Sequence, residues 1–205
     1  MKKHARIILL PIVLFTMLLP ACADDAVGTD DKNGVDTQVT AGAFDEIEAR
    51  LNGEVTTVEA RQLLLDNFIL VIDEATGMVD REAGLQYARL ARELAAKAPN
   101  DTLVALPLYK SADVHKALND YRSAAMIFER VHRDYPTFSK AGEALFMLGF
   151  TYDENLKDFD KAREVYTKFL TEFPDNVFAR DTKVLLENLG KSDAEVLERM
   201  QQPNE

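Results

Sequence analysis

Between positions 139 and 174 the apolar and small residues fall at helical spacing twice in succession. Leu145, Leu148, Gly149 and Tyr152 follow the i, i+3, i+4, i+7 rule for one face of a helix. Ala162, Val165, Tyr166, Phe169 and Phe173 repeat that spacing, and Pro174 stops the second helix. Positions 155–158 between them are polar, and Asp158 stands where a side chain can cap the second helix. The pattern predicts a helical hairpin.

The hairpin occurs once before. Moved back by 38 residues, the second helix lands on Asp120, Tyr121, Ala124, Ile127, Phe128, Val131, Tyr135 and Pro136, with each class of residue kept. The first helix matches at 37, on Leu108, Ser111, Ala112 and His115, and the odd residue is assigned to the turn. A helical pair at a fixed period predicts a repeat array, because one hairpin cannot bury its apolar face alone.

The rest of the chain reads as helices flanking this array. Thr56 and Glu59 form a capping box opening a helix that runs to about Ala75, with Gly77 after it. Leu63, Leu64, Leu65, Phe68, Ile69, Val71 and Ile72 make it apolar nearly all round, which predicts a sandwiched helix. A second helix, 80–98, carries Leu85, Ala88, Ala91, Leu94 and Ala95 and stops at Pro99. It is longer than its later counterparts, as befits a degenerate terminal repeat. Helices follow over 103–118, with Pro107 in the first turn, and over 120–134. Beyond Pro174 comes a helix over 177–189, with Phe178, Val184, Leu185 and Leu189 inward and Gly190 as its stop. Ser192 and Glu195 then form a second capping box, opening a short last helix with Val196, Leu197 and Met200.

Leu148, Gly149 and Tyr152, followed by Phe159, Ala162, Tyr166 and Pro174, resemble the tetratricopeptide repeat (TPR). The earlier copy is weaker, with Ser111, Ala112 and His115 in place of Leu, Gly and Tyr. The tail LLENLGKSDAEVLERM is similar to the end of small TPR lipoproteins of Gram-negative envelopes. The resemblance spans roughly 55–200 and implies an all-α fold: a short right-handed α-solenoid of three TPR-like hairpins over 54–201, closed by a C-terminal capping helix pair. It also implies a groove lined by the first helix of each hairpin. Carried over by position, the groove residues are Leu106, Tyr109, Asp113 and Lys116, then Glu143, Phe146, Phe150 and Asp153. Phe146 and Phe150 either face a partner or pack against neighbouring helices. Facing a partner, an aromatic pair beside acids suits a peptide with an apolar anchor and basic flanks.

The N-terminus carries a signal of another kind. Lys2, Lys3 and Arg6 precede an apolar run over 7–19, which is short of the ~20 residues a membrane-spanning helix needs. Residues 1–21 therefore read as a cleaved signal peptide. Its end, Leu19-Pro20-Ala21-Cys22, resembles the lipobox of bacterial lipoproteins, and Cys22 is the single cysteine of the chain. The resemblance implies acylation at Cys22, and two or more acyl chains anchor a protein stably. Losing the leader removes three positive charges, moving the net charge from −11 to −14. Such a body repels phosphates, so nucleic acid is excluded as a partner and the membrane contact falls to the lipid. Residues 22–53 read as an acidic flexible tether, within which Phe44, Ile47 and Leu51 share one helical face. Asp24 and Asp25 resemble a surface-export signal or simply belong to a solvated linker; both readings stay open.

Candidate chemistry is sparse. His4 leaves with the leader, His115 stands where the next repeat has Tyr152 and should pack between helices, and His132 reads as a solvated residue. No zinc spacing, phosphate loop or nucleophile elbow is present, so neither catalysis nor a metal or other cofactor is expected. Asp153 and Glu154 read as part of an acidic surface. The expected function is that of a lipid-anchored scaffold of the cell envelope at the outer membrane, binding a protein partner, with its membrane face left open. The alternative is a small-ligand or glycan-binding lipoprotein, against which the absence of Trp counts. That alternative requires an enclosed pocket of roughly 300–1,000 Å³ rather than an open groove.

Overall fold

The computed structural model describes residues 44–74 and 76–201. The leader, Cys22, Asp24, Asp25 and the tether up to position 43 lie outside the described residues. Nine helical segments follow one another within the described chain: α1 (44–51), α2 (Thr57–Asp66), α3 (Arg81–Lys97), α4 (Ala105–Ala117), α5 (Tyr121–Asp134), α6 (Ala141–Phe150), α7 (Phe159–Glu172), α8 (Ala179–Asn188) and α9 (Asp193–Gln201). They form a TPR-like all-α solenoid in which α4–α5 and α6–α7 are the two full hairpins.

What repeats is the end of each second helix. Asp80, Asp120 and Asp158 cap α3, α5 and α7, each side chain accepting a backbone N–H three residues on. At the other end Ala98, Tyr135 and Phe173 adopt nearly one conformation (φ −132°, −128°, −132°; ψ 61°, 60°, 55°). A proline follows each, and the residue before proline is excluded from the helical region. The backbone then steps through N–H bonds from Asp101 to Ala98, Phe138 to Tyr135 and Asn176 to Phe173, at 3.1, 3.0 and 3.1 Å. This third copy of the linker marks α2–α3 as a repeat although its first helix has lost the sequence pattern. It also starts α8 as the first helix of a further, truncated unit.

The odd residue between the two hairpins is placed in helix α6 rather than in the turn. In the first copy Leu118 N–H bonds Val114 C=O, four residues back; in the second, Leu156 bonds Thr151, five back. The extra residue widens α6 into a π-turn, Thr151–Asn155, the usual way a helix absorbs an insertion. Both turns then use a non-glycine residue in the left-handed region, Asn119 (φ 62°) and Lys157 (φ 53°), immediately before the capping aspartate.

Three expectations are corrected. The helix from Thr57 ends at Asp66, not near Ala75. Phe68–Val71 is a 3₁₀ turn, and Ile72 pairs with Val79 to close a loop in which Gly77 takes φ 68°. Only Leu64 and Val71 of its apolar run are fully buried, and Ile69 is exposed, so it is not sandwiched. Second, the tether stops short of 53. Phe44, Ile47 and Leu51 are buried in the core, and α1 is tied to α3 by Arg89–Glu48 at 2.5 Å and Lys97 Nζ to Leu51 C=O at 2.9 Å. Three apolar residues on one face outweigh the acids, which turn outward. Third, Leu85 and Val184 are exposed; Tyr87, Leu90, Ala179 and Thr182 occupy the inward positions instead.

Candidate protein-interaction face

The first helices of the hairpins, α4 and α6, lie side by side and are joined across their shared face by polar and aromatic contacts. Tyr109 on α4 donates its hydroxyl to Glu143 Oε1 on α6 at 2.9 Å. Lys140, just ahead of α6, pairs with Glu143 Oε2 at 2.5 Å and lies over the Tyr109 ring, 5.4 Å from its centroid. Lys116 reaches from α4 over the Phe150 ring of α6 at 4.8 Å. At the other end Lys110 sits 3.9 Å over Phe68, whose ring meets Tyr87 edge-on at 4.9 Å. The face thus runs from the 3₁₀ turn across α4 to α6.

Asp113 stands between Lys110 and Lys116, one helical turn from each. It is half-buried, and among the described residues no ion pair or hydrogen bond reaches its carboxylate. Burial pushes its pKa up to about 6; Lys110, Lys116 and Lys140 oppose this and Glu143 adds to it. The Tyr87 hydroxyl is buried without a hydrogen-bond partner and feels the Asp113 charge. Burial lowers the pKa of Lys116, while Asp113 pulls it back up. Lys110 and Lys116 likewise have no carboxylate within ion-pair distance among the described residues.

Of the eight residues carried over by position, Tyr109, Asp113, Lys116, Glu143 and Phe150 come together on this face, and Leu106 is half-buried on the same helix. Phe146 and Asp153 do not join them. Phe146 is 9% exposed and stacks on Phe178, ahead of α8, at 4.6 Å and 5° between planes, so it is a packing residue. The π-turn carries Asp153 inward, 6% exposed, where it accepts a 3.3 Å bond from the Tyr166 hydroxyl. The two rings remain in contact, their centroids 6.2 Å apart, with Phe150 half-buried on the face and Phe146 buried against Phe178. Sequence position alone did not bring out Lys110 or Lys140, and it read the face as acidic. Their ring partners sit on other elements, and that pairing has no local signal.

His115 packs as expected, 4% exposed, its Nδ1 3.0 Å from Asp120. His132 is a correction: it is 8% exposed, with Nε2 3.2 Å from Glu172 on α7 and its ring edge-on to Phe173. Its pKa is lowered, chiefly by burial. No cluster of three or more metal-ligating side chains occurs among the described residues, and no described helix is long and apolar enough to cross a membrane. Depressions of ≈ 380 Å³ beside Met126 and Tyr152 and ≈ 420 Å³ beside Asn188 and Lys191 lie away from the α4–α6 face.

The tetratricopeptide repeat family pattern matches residues 108–137 and 143–176, which are the hairpins α4–α5 and α6–α7. No curated protein matches the chain. Tetratricopeptide repeats serve as protein-interaction modules, and their presence suggests a protein–protein interaction role for this solenoid.

Proposed function

We propose that this protein is a lipid-anchored scaffold of the cell envelope, held at the outer membrane through Cys22, that holds a protein partner on the α4–α6 face. The observation that carries the binding part is the row of Lys110, Asp113 and Lys116 beside Tyr109 and Phe150, charged groups without ionic partners on the first helices of matched repeats. Structural salt bridges elsewhere in the chain, such as Lys161–Asp158, pair locally; these do not. The anchor part rests on the charged, apolar and Leu-Pro-Ala-Cys segments of 1–22.

The test is crosslinking in native membranes followed by capture and mass spectrometry, comparing the full chain with a Lys116→Glu/Phe150→Ala variant. Phe146 is left intact because its loss would unseat α8. A partner enriched over a control lipoprotein and lost in the variant, with circular dichroism unchanged, supports the scaffold. No enrichment turns the reading to ligand binding. Cys22→Ser should abolish labelling by a fatty-acid analogue, and persistent labelling would remove the anchor.

A further inference from the structure

From the charge order on α4 we infer that the partner docks a helix whose contacting stripe reads acidic, basic, acidic. This rests on the α4–α6 face being the binding surface, and adds what the partner must look like. Lys110, Asp113 and Lys116 form a plus, minus, plus row at steps of three residues. At 1.5 Å per residue the row advances about 4.5 Å per charge and about 9 Å in all. The row also turns about 60° per charge, slanting from Phe68 towards Phe150, and a second helix crossing α4 at a wide angle lays its own step-of-three row along it with the same advance. An extended strand offers same-face residues about 6.6 Å apart, so three successive charges would fall out of register.

The ends of the row are held in place. Lys110 and Lys116 each rest on an aromatic ring from a different element, Phe68 and Phe150, which fixes their ammonium groups without neutralising them. The middle of the row is a half-buried carboxylate with no hydrogen bond or ion pair, whose charge is felt by the buried Tyr87 hydroxyl, which also lacks a partner. Glu143 does not complete the row, because Tyr109 and Lys140 already occupy both its oxygens. A purely acidic segment would satisfy the two lysines but press a like charge onto Asp113. A purely basic one would do the reverse. An alternating stripe satisfies all three, and like-charge juxtaposition penalises the other orders. Phe150, half-buried, flanks the row and accepts an apolar residue from the neighbouring stripe.

The probes are three fluorescein-labelled, alanine-based helical peptides, each with a leucine on the adjacent row. The first carries Glu–Arg–Glu at steps of three, the second Arg–Glu–Arg, and the third the shuffled order Arg–Glu–Glu. Fluorescence anisotropy with the full chain at about 0.1 M salt should show the first binding about tenfold tighter than either other, a difference of about 1.4 kcal/mol. Lys110→Glu/Asp113→Lys/Lys116→Glu should reverse the preference towards Arg–Glu–Arg. Should that variant melt early, Lys110→Glu/Lys116→Glu alone should remove the advantage of Glu–Arg–Glu and favour Arg–Glu–Arg. Equal affinities for the three peptides, a preference that survives the inversion, or no binding at about 1 mM would overturn the inference. The membrane capture experiment does not depend on charge order, so a partner found there alongside equal peptide affinities would leave the face standing and remove only the stripe.

Discussion

Asp113→Asn should make the protein more stable at neutral pH. The carboxyl titrates at about 6 in the fold against 3.8 in the open chain, because burial disfavours its charge. Between those two values the native state holds a proton that the unfolded chain has already released. Stability therefore falls as pH rises from about 4 to about 6, and above 6 the whole cost is present. The gap between 3.8 and about 6 corresponds to roughly 3 kcal/mol, and solvent screening of a partly exposed group reduces this to about 1–2 kcal/mol. The side chain of Asn keeps the shape and drops the charge. Urea unfolding of wild type and variant at pH 7.5 and pH 4 isolates the term, because the difference between proteins cancels other titrations. A gain of about 1–2 kcal/mol at pH 7.5 that shrinks towards zero at pH 4 is expected. Equal stability at both pH values, or a loss at pH 7.5, would refute the view that burial costs the Asp113 carboxylate more than its neighbouring lysines return.

Other perturbations test the packing. Phe146→Ala should cost about 3–5 kcal/mol in urea unfolding, since the ring is stacked on Phe178 and lies near Phe169 and Tyr166; a loss under 1 kcal/mol would return Phe146 to the binding face. Gly149→Ala should cost about 1–3 kcal/mol, because a Cβ there would stand 2.7 Å from the Tyr166 ring; an unchanged melting temperature would mean the hairpin closes less tightly. Lys157→Asn should gain about 0.5–1 kcal/mol by relieving a lysine at φ 53°, with only an exposed bridge to Glu154 lost. His132→Leu should remove the part of stability lost below about pH 6.5, where the unfolded histidine takes up a proton that the buried ring resists. An unchanged acid limb of the pH profile would show that His132 charges freely in place.

The hairpins were legible because their packing is written in local spacing. Alanine at 124 and 162, aromatics at 128 and 166, and proline at 136 and 174 each satisfy a neighbour a fixed distance away in the chain. The break after Asp66 was not legible, since Phe68 to Ile72 continue the apolar run and what ends the helix is a pairing with Val79 across a loop. The π-turn was visible only as a surplus residue; its location depended on which backbone acceptor Leu156 found. That shift turned Asp153 inward. His132 was misplaced because α7, later in the chain, buries it, and the choice left open for Phe146 depended on rings likewise distant in sequence, Tyr166, Phe169 and Phe178. The same holds for the face. Five of the eight positions carried over meet there, but the lysines that set its charge order are held by rings on neighbouring elements.

The repeats divide their residues by how they can vary. Positions that fix the stack recur almost unchanged: the capping aspartates, the prolines and the alanines facing a ring. The α4–α6 face shows no such recurrence, since Lys110, Asp113 and Lys116 correspond to Met147, Phe150 and Asp153 in the next hairpin. The contacts its lysines make with Phe68 and Phe150 therefore have no counterpart in the next hairpin. The isolated carboxylate goes further, because it weakens the fold at neutral pH. Asp113→Asn would stabilise the fold at neutral pH, so the packing of the array does not account for the acid.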